Sequence, residues 1–205
     1  MKKNAHLLLI FFFVMSFSSA FGEENGWKLK KDKDGIKVYT REKADTHIYM
    51  YKVVTQISVK PEVVYRQVVD FKENLQYMEL VDSLRFLDHQ KDRHYRNYMH
   101  FNMPWPVKNR EMVMELQVTR DRQTIYLESN DLPEHLTGQE GTIRIEDFQE
   151  KWTISEGNNP NESLITVTGW VDPGGSLPVW VVNLFSVSTP FRFISGILQE
   201  VRKDQ

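Results

Sequence analysis

Residues 177–198 read LPVWVVNLFSVSTPFRFISGIL and hold a single charge, Arg192. Within this stretch and just beyond it, Trp180, Leu184, Val187, Phe191, Ile194, Leu198 and Val201 step by four and three, which puts them on one face of a helix. Val181 and Phe185 are apolar on another face. A helix apolar on more than one side is buried on more than one side. The length also fits a membrane span, but Asn183, Ser186, Ser188, Thr189, Pro190, Arg192 and Ser195 interrupt it, each unfavourable in lipid. The segment is read as the core helix of a folded domain. Pro190 removes a backbone donor and predicts a kink or weak point. Asp172-Pro173-Gly174-Gly175 is a turn just before it, and Pro178 suits a helix start.

Working outward, most of the preceding chain reads as strand. Trp27–Lys31 and Ile36–Arg41 flank the turn Asp32–Gly35 as a hairpin, and Tyr49–Ser58 follows. Pro61-Glu62 opens a helical segment carrying Val64, Val68, Val69 and Phe71, with a second short helix over Glu73–Met78. Strands return at Ser83–His89, His94–Phe101, Arg110–Val118, Thr124–Ser129, Gly141–Ser155 and Ser163–Val171, joined by short turns that imply antiparallel neighbours. A curved sheet must bury its concave face, and a long helix apolar on two sides can fill it. Where the sheet curls around the helix incompletely, a cavity remains. The expected fold class is α+β: a helix-grip fold, with a curved antiparallel β-sheet wrapped around a long C-terminal α-helix.

At the other end, Met1-Lys2-Lys3, the apolar run Leu7–Met15 and the small residues Ser16, Ser18, Ser19 and Ala20 have the layout of a secretory signal peptide. Residues 1–22 are expected to be the leader and 23–205 one domain, exported to the periplasm or beyond. Of the 205 residues, 26 are Lys or Arg and 28 Asp or Glu. Losing Lys2 and Lys3 leaves 24 against 28, a net charge of −4. Such a balance argues against a nucleic-acid partner, because phosphate binding needs a basic excess. No cysteine is present, which excludes disulfides, thiolate metal sites and a catalytic thiol.

Few residues point to chemistry. His94 and His100 share a strand face about 20 Å apart, too far for one metal, and no metal or cofactor is expected. No Gly-x-Ser-x-Gly elbow is present. On the strand 94–101, Tyr95, Asn97, Met99 and Phe101 alternate with His94, Arg96, Tyr98 and His100. The first set is the more apolar and is expected to face a cavity, with Asn97 as an isolated polar group there. Met112, Met114 and Leu116 are the inward set of the next strand, and methionine suits a flexible apolar ligand. Arg144, between Ile143 and Ile145, is expected to face solvent. Pro104 and Pro106 cannot donate to a ladder, so Met103 and Trp105 ride on a stiff loop between strands.

Several motifs resemble the StAR-related lipid-transfer (START) domain family. They are Gly35-Ile36-Lys37-Val38-Tyr39-Thr40-Arg41, the loop Pro104-Trp105-Pro106-Val107-Lys108-Asn109-Arg110-Glu111, and Gly141-Thr142-Ile143-Arg144 followed by Trp152-Thr153-Ile154. The fourth is the junction Asp172–Asn183. Glu111 departs from the family's usual aspartate. The resemblance implies a START-like lipid-binding domain over 23–205, a tunnel for one lipid, and a lid made by the C-terminal helix and nearby loops. That makes Met103, Trp105, Trp180, Val181, Leu184 and Phe185 lid candidates, above a wall of Tyr95, Asn97, Met99, Phe101, Met112, Met114 and Leu116.

The expected function is noncovalent: one lipid or other apolar small molecule is held for transfer or sensing, with transient membrane contact through Trp105 and the helix. An enzyme on the same fold, a cyclase or hydratase, is the alternative. It requires titratable groups converging inside the cavity, for which Asn97, Tyr95 and Tyr98 are the nominees. No catalytic constellation is evident in the sequence.

Overall fold

Asp34 and Gly35 both take positive φ, 54° and 76°, as a two-residue type I′ hairpin requires. They join β1 (Lys28–Lys33) to β2 (Ile36–Glu42). In β2 and β3 (Tyr49–Ile57) burial alternates residue by residue, with Ile36, Val38, Tyr51, Val53 and Ile57 inward. The computed structural model describes residues 26–44, 46, 48–132, 140–175 and 177–203. The expected leader, residues 1–22, lies outside the described residues.

Pro61 at the first helical position starts α1 (Pro61–Val68), which buries Val64, Tyr65 and Val68. Asp70 caps α2 (Phe71–Asn74) by accepting the Glu73 N–H at 3.0 Å, and a 3₁₀ turn (Leu75–Tyr77) follows. The strands β4 (Val81–Gln90), β5 (His94–Phe101), β6 (Arg110–Asp121), β7 (Thr124–Asp131), β9 (Asp147–Glu156) and β10 (Ser163–Asp172) then complete one sheet. Its order is β1-β2-β3-β10-β9-β7-β6-β5-β4, every neighbour antiparallel.

The expected strand 141–155 is two strands. Ile143 and Ile145 have the opposite parity to Phe148, Trp152 and Ile154, so one continuous strand cannot bury both sets. The chain breaks between them. The short β8 (Ile143–Arg144) pairs parallel with β6, setting Arg144 opposite Glu111. Arg144 is therefore not a solvated arginine: it binds Glu111 at 2.7 Å, with side chains only 19% and 3% exposed.

The terminal helix runs as α3 (Val179–Asn183), a π-helical turn (Leu184–Ser188) and α4 (Thr189–Lys203). The interruption expected at Pro190 is this π turn, placed just before it. An extra residue in the turn rotates the helix before it by about 100° relative to the helix after it. The apolar stripe therefore breaks. Val187, Phe191, Ile194, Leu198 and Val201 are buried, but Trp180 is 47% exposed and Leu184 only half-buried, while Val181 and Phe185 turn inward instead. The helix is long and apolar enough to cross a membrane, yet more than half of that stretch is buried in the fold. The architecture is the helix grip: an open, curved, mainly antiparallel sheet of ten strands around a long C-terminal helix.

Candidate functional site

The buried side chains form two clusters. The larger joins the sheet to α1 and α4. The smaller joins Val181 and Phe185 to Leu80 and Met103. An apolar cavity of about 160 Å³ lies at the seam. Met99, Phe101, Met112, Met114 and Leu116 form its β5–β6 wall. Phe71, Met78 and Leu80 come from the helical connection, and Phe185, Pro190 and Phe193 from the terminal helix. Tyr51, Val171 and Phe185 also line a second pocket, beside Thr46, Ile48, Tyr49, Pro173, Leu177 and Val182, so they are the partition between the two.

Tyr95 and Asn97 lie on the inward face of β5 but not on the cavity. Phe71 fills the space there, its ring 5.9 Å from that of Tyr95 and 6.1 Å from His89. The Tyr95 hydroxyl sits 3.2 Å from that of Tyr65, and Asn97 pairs its carbonyl oxygen with His89 Nε2 at 2.9 Å. The Asn97 amide nitrogen is buried without a partner. Tyr98 faces the other side of the sheet and donates to Glu111 at 2.9 Å. Of the lid candidates, Met103 and Val181 are buried in the smaller cluster, Phe185 borders the cavity, and Trp105 projects with 91% of its surface exposed.

The polar part of the cavity comes from residues that the alternation of β5 and β6 does not single out. Glu150 stands in the wall between Phe148 and Trp152. Tyr51 donates its hydroxyl to one carboxylate oxygen, and Trp152 Nε1 donates to the other at 2.7 Å. Burial raises the Glu150 pKa, outweighing both hydrogen bonds, and the surface it keeps faces the cavity. Burial and the adjacent acid push the Tyr51 phenol well above its ordinary range. The contact crosses a strand: Tyr51 on β3 and Glu150 on β9 are both in register with Gly169 on the intervening β10. A Cβ on Gly169 would lie 2.7 Å from the Tyr51 hydroxyl and 2.6 Å from the Gln149 carbonyl oxygen. Glycine at this strand position is what allows the tyrosine to reach the acid. Thr189 is the fourth polar member of the wall with Tyr51, Glu150 and Ser129, and its hydroxyl is buried with no partner.

Arg110 and Glu111, from the family-like loop, do not reach the cavity. Arg110 is buried and donates to the carbonyl oxygens of Pro173 and Gly174, both at 3.0 Å, and to that of Lys108. It clasps the start of β6 to the turn that feeds the terminal helix. Among the described residues, no group of three or more His, Asp or Glu side chains is placed to hold a metal.

Three comparisons bear on this arrangement. An uncharacterized protein of Pseudomonas aeruginosa is 28% identical over 181 residues, spanning 86% of this chain and 87% of that one. The phosphatidylcholine transfer protein of Mus musculus is 24% identical over 164 residues, spanning 77% and 75%. A crystal structure of a STAR-related lipid transfer protein from Xanthomonas axonopodis (fragment 25–204) superposes with a TM-score of 0.76 at 26% identity, covering 87% of this chain and 99% of that one. The family profile of the START domain matches residues 15–204. This chain belongs to the START domain family.

Proposed function

We propose that the protein holds one lipid in the cavity beneath its terminal helix and exchanges it noncovalently. The observation that carries this is the apolar wall of methionine and phenylalanine between sheet and helix, in a chain whose relatives include a phosphatidylcholine transfer protein. Apolar burial supplies affinity at about 0.8 kcal/mol per methylene. As it stands, the cavity matches a space of about 150 Å³ known to hold benzene, so a longer chain requires the wall to move. The Tyr51–Val171–Phe185 partition is the portal in this reading. It opens when the helix before the π turn swings out, with the π turn as hinge.

Export and membrane contact belong to the same proposal. The basic start, apolar run and small residues of 1–22 support a cleaved leader. Trp105 and Trp180 are the exposed large apolar side chains near the portal helix and its neighbouring loop. A net charge of −4 after cleavage gives little attraction to anionic lipid, so contact rests on these rings.

The enzymatic alternative gains one acid, Glu150. Acid–base chemistry needs a donor and an acceptor trained on the same atoms. Both oxygens of Glu150 already hold donors, and its neighbour Tyr51 is driven away from neutral pKa. The pair is better suited to positioning a ligand than to proton transfer.

The test is uptake of Nile red and of a fluorescent fatty acid by the purified chain, alongside Met114→Lys. The wild-type chain is expected to enclose both dyes and the variant neither. Equal fluorescence from the two proteins would remove the cavity from the function.

A further inference from the structure

We infer that the lipid presents an uncharged hydroxyl to the Tyr51–Glu150–Thr189 side of the cavity, and that a phosphate-bearing headgroup is not accepted inside. This rests on the lipid-binding reading above and specifies the ligand class within it.

The lining residues include no lysine, arginine or histidine. A phosphate drawn inside would lose its hydration with no cation to replace it, and it would share the space with Glu150. With Glu150 ionised, like charges in a low-dielectric wall add a repulsion; with Glu150 protonated, the missing cation alone keeps the phosphate out. An anionic headgroup therefore stays out. A cationic one would be favoured only with Glu150 ionised, and burial opposes that ionisation.

The wall does demand a polar partner. Thr189 lines the cavity, and its hydroxyl is buried without a hydrogen-bond partner. Buried hydroxyls are nearly always satisfied, so one left open on a ligand cavity marks a place for a ligand atom. The Glu150 oxygens hold one donor each, leaving their second lone pairs open, and the Tyr51 oxygen, having donated its proton, can also accept. If Glu150 carries a proton instead, the pair offers a donor. A hydroxyl both donates and accepts, so it answers either state, whereas an ester or ketone carbonyl answers only one.

Four C12 probes test this on the purified chain by displacement of Nile red: 1-dodecanol, methyl dodecanoate, dodecyl phosphate and dodecylamine, all below their micelle concentrations. The tails are alike, so the ranking reports the head. Dodecanol is expected to displace the dye at a concentration at least about tenfold below those for the phosphate and the amine, and below that for the ester. Thr189→Val and Glu150→Gln are each expected to weaken dodecanol about three- to tenfold, the effect of one hydrogen bond. Glu150→Gln is also expected to narrow the gap to dodecyl phosphate. Thr189→Val keeps the side-chain shape and removes an unsatisfied hydroxyl, so it should fold even if Glu150→Gln does not. A chain that prefers the phosphate or amine, or variants that leave the ranking unmoved while Nile red still binds, would overturn the inference and leave the lipid reading standing. Failure of every probe and of Nile red would overturn both.

Discussion

Residues 189–203 and residues 179–183 continue one another through a π turn, yet different parts of the molecule hold them. In α4, Ile194, Ile197, Leu198 and Val201 are each no more than 2% exposed and belong to the large core shared with the sheet. Gly196 lies so close to Tyr77 that the ring covers the backbone, Tyr77 donates to Glu200, and Arg192 pairs with Glu79. Before the π turn and at its start, Val181 and Phe185 belong to the small cluster with Leu80 and Met103, and Trp180 faces solvent, whereas Val187 near the end of the turn already joins the large core. Local opening begins where apolar contacts are few. The difference divides the helix into an anchor and a flap, with the π turn between them and the cavity at the seam.

Substitutions in the anchor should cost the whole fold its stability. Ile197→Ala removes a fully buried side chain and is expected to lower unfolding free energy by about 2–5 kcal/mol, read from urea denaturation. Hydrogen exchange on the unaltered chain sharpens the comparison: amides of 192–202 should be protected to near the global limit and those of 181–187 far less. Equal protection would erase the distinction between anchor and flap.

Gly196→Ala comes next in size. Alanine gains up to about 1 kcal/mol in helix propensity, but its Cβ would stand 2.2 Å from Cγ of Tyr77. Overpacking prevails, and a net loss of about 1–3 kcal/mol is expected by the same denaturation. Gly196→Ala in a Tyr77→Ala background should recover most of that loss, because the ring is what the methyl meets. Arg192→Gln is smaller again. The pair with Glu79 is about half exposed on both sides, so about 0.2–1 kcal/mol is at stake, and it should fade as salt rises.

The sequence carries much of this division, but not all. The anchor is legible because Phe191, Ile194, Leu198 and Val201 keep a helical period with no interruption. The flap is not, because the π turn changes phase at Leu184–Ser188, and residue spacing alone places Trp180 on the wrong face. Met99, Phe101, Met112, Met114 and Leu116 are legible as cavity wall from a period of two. Tyr95 and Asn97 share that period, but how far along β5 the wall stays open depends on Phe71, about 25 residues away in sequence and packed there only by the tertiary fold. Glu150 is a charge within the inward set Phe148–Trp152–Ile154, and Gly169 is a glycine amid β-branched strand residues. Both signals are present in the sequence, but reading 141–155 as one strand blurs the parity that exposes the first. The Arg144–Glu111 pair depends on a parallel contact between β8 and β6, which no local pattern reports.

The smallest expected change in stability belongs to the most exposed part of the flap. Trp180 is 47% exposed, so Trp180→Ala should shift unfolding free energy by no more than about 0.5 kcal/mol. Its role in the proposed cycle is at the membrane, where an indole suits a boundary that is apolar on one side and wet on the other. Trp105 makes an internal control. It is more exposed, at 91%, but rides on a loop whose neighbouring Met103 is buried and whose Asn109 side chain accepts the Met103 N–H at 3.0 Å. If the flap both touches lipid and moves, Trp180→Ala should slow transfer of a fluorescent lipid between neutral vesicles and also alter its rate of release into solution. Trp105→Ala should slow vesicle transfer alone, because it affects docking without touching the hinge. Matching effects of the two variants on both rates would place the moving element elsewhere than residues 179–188.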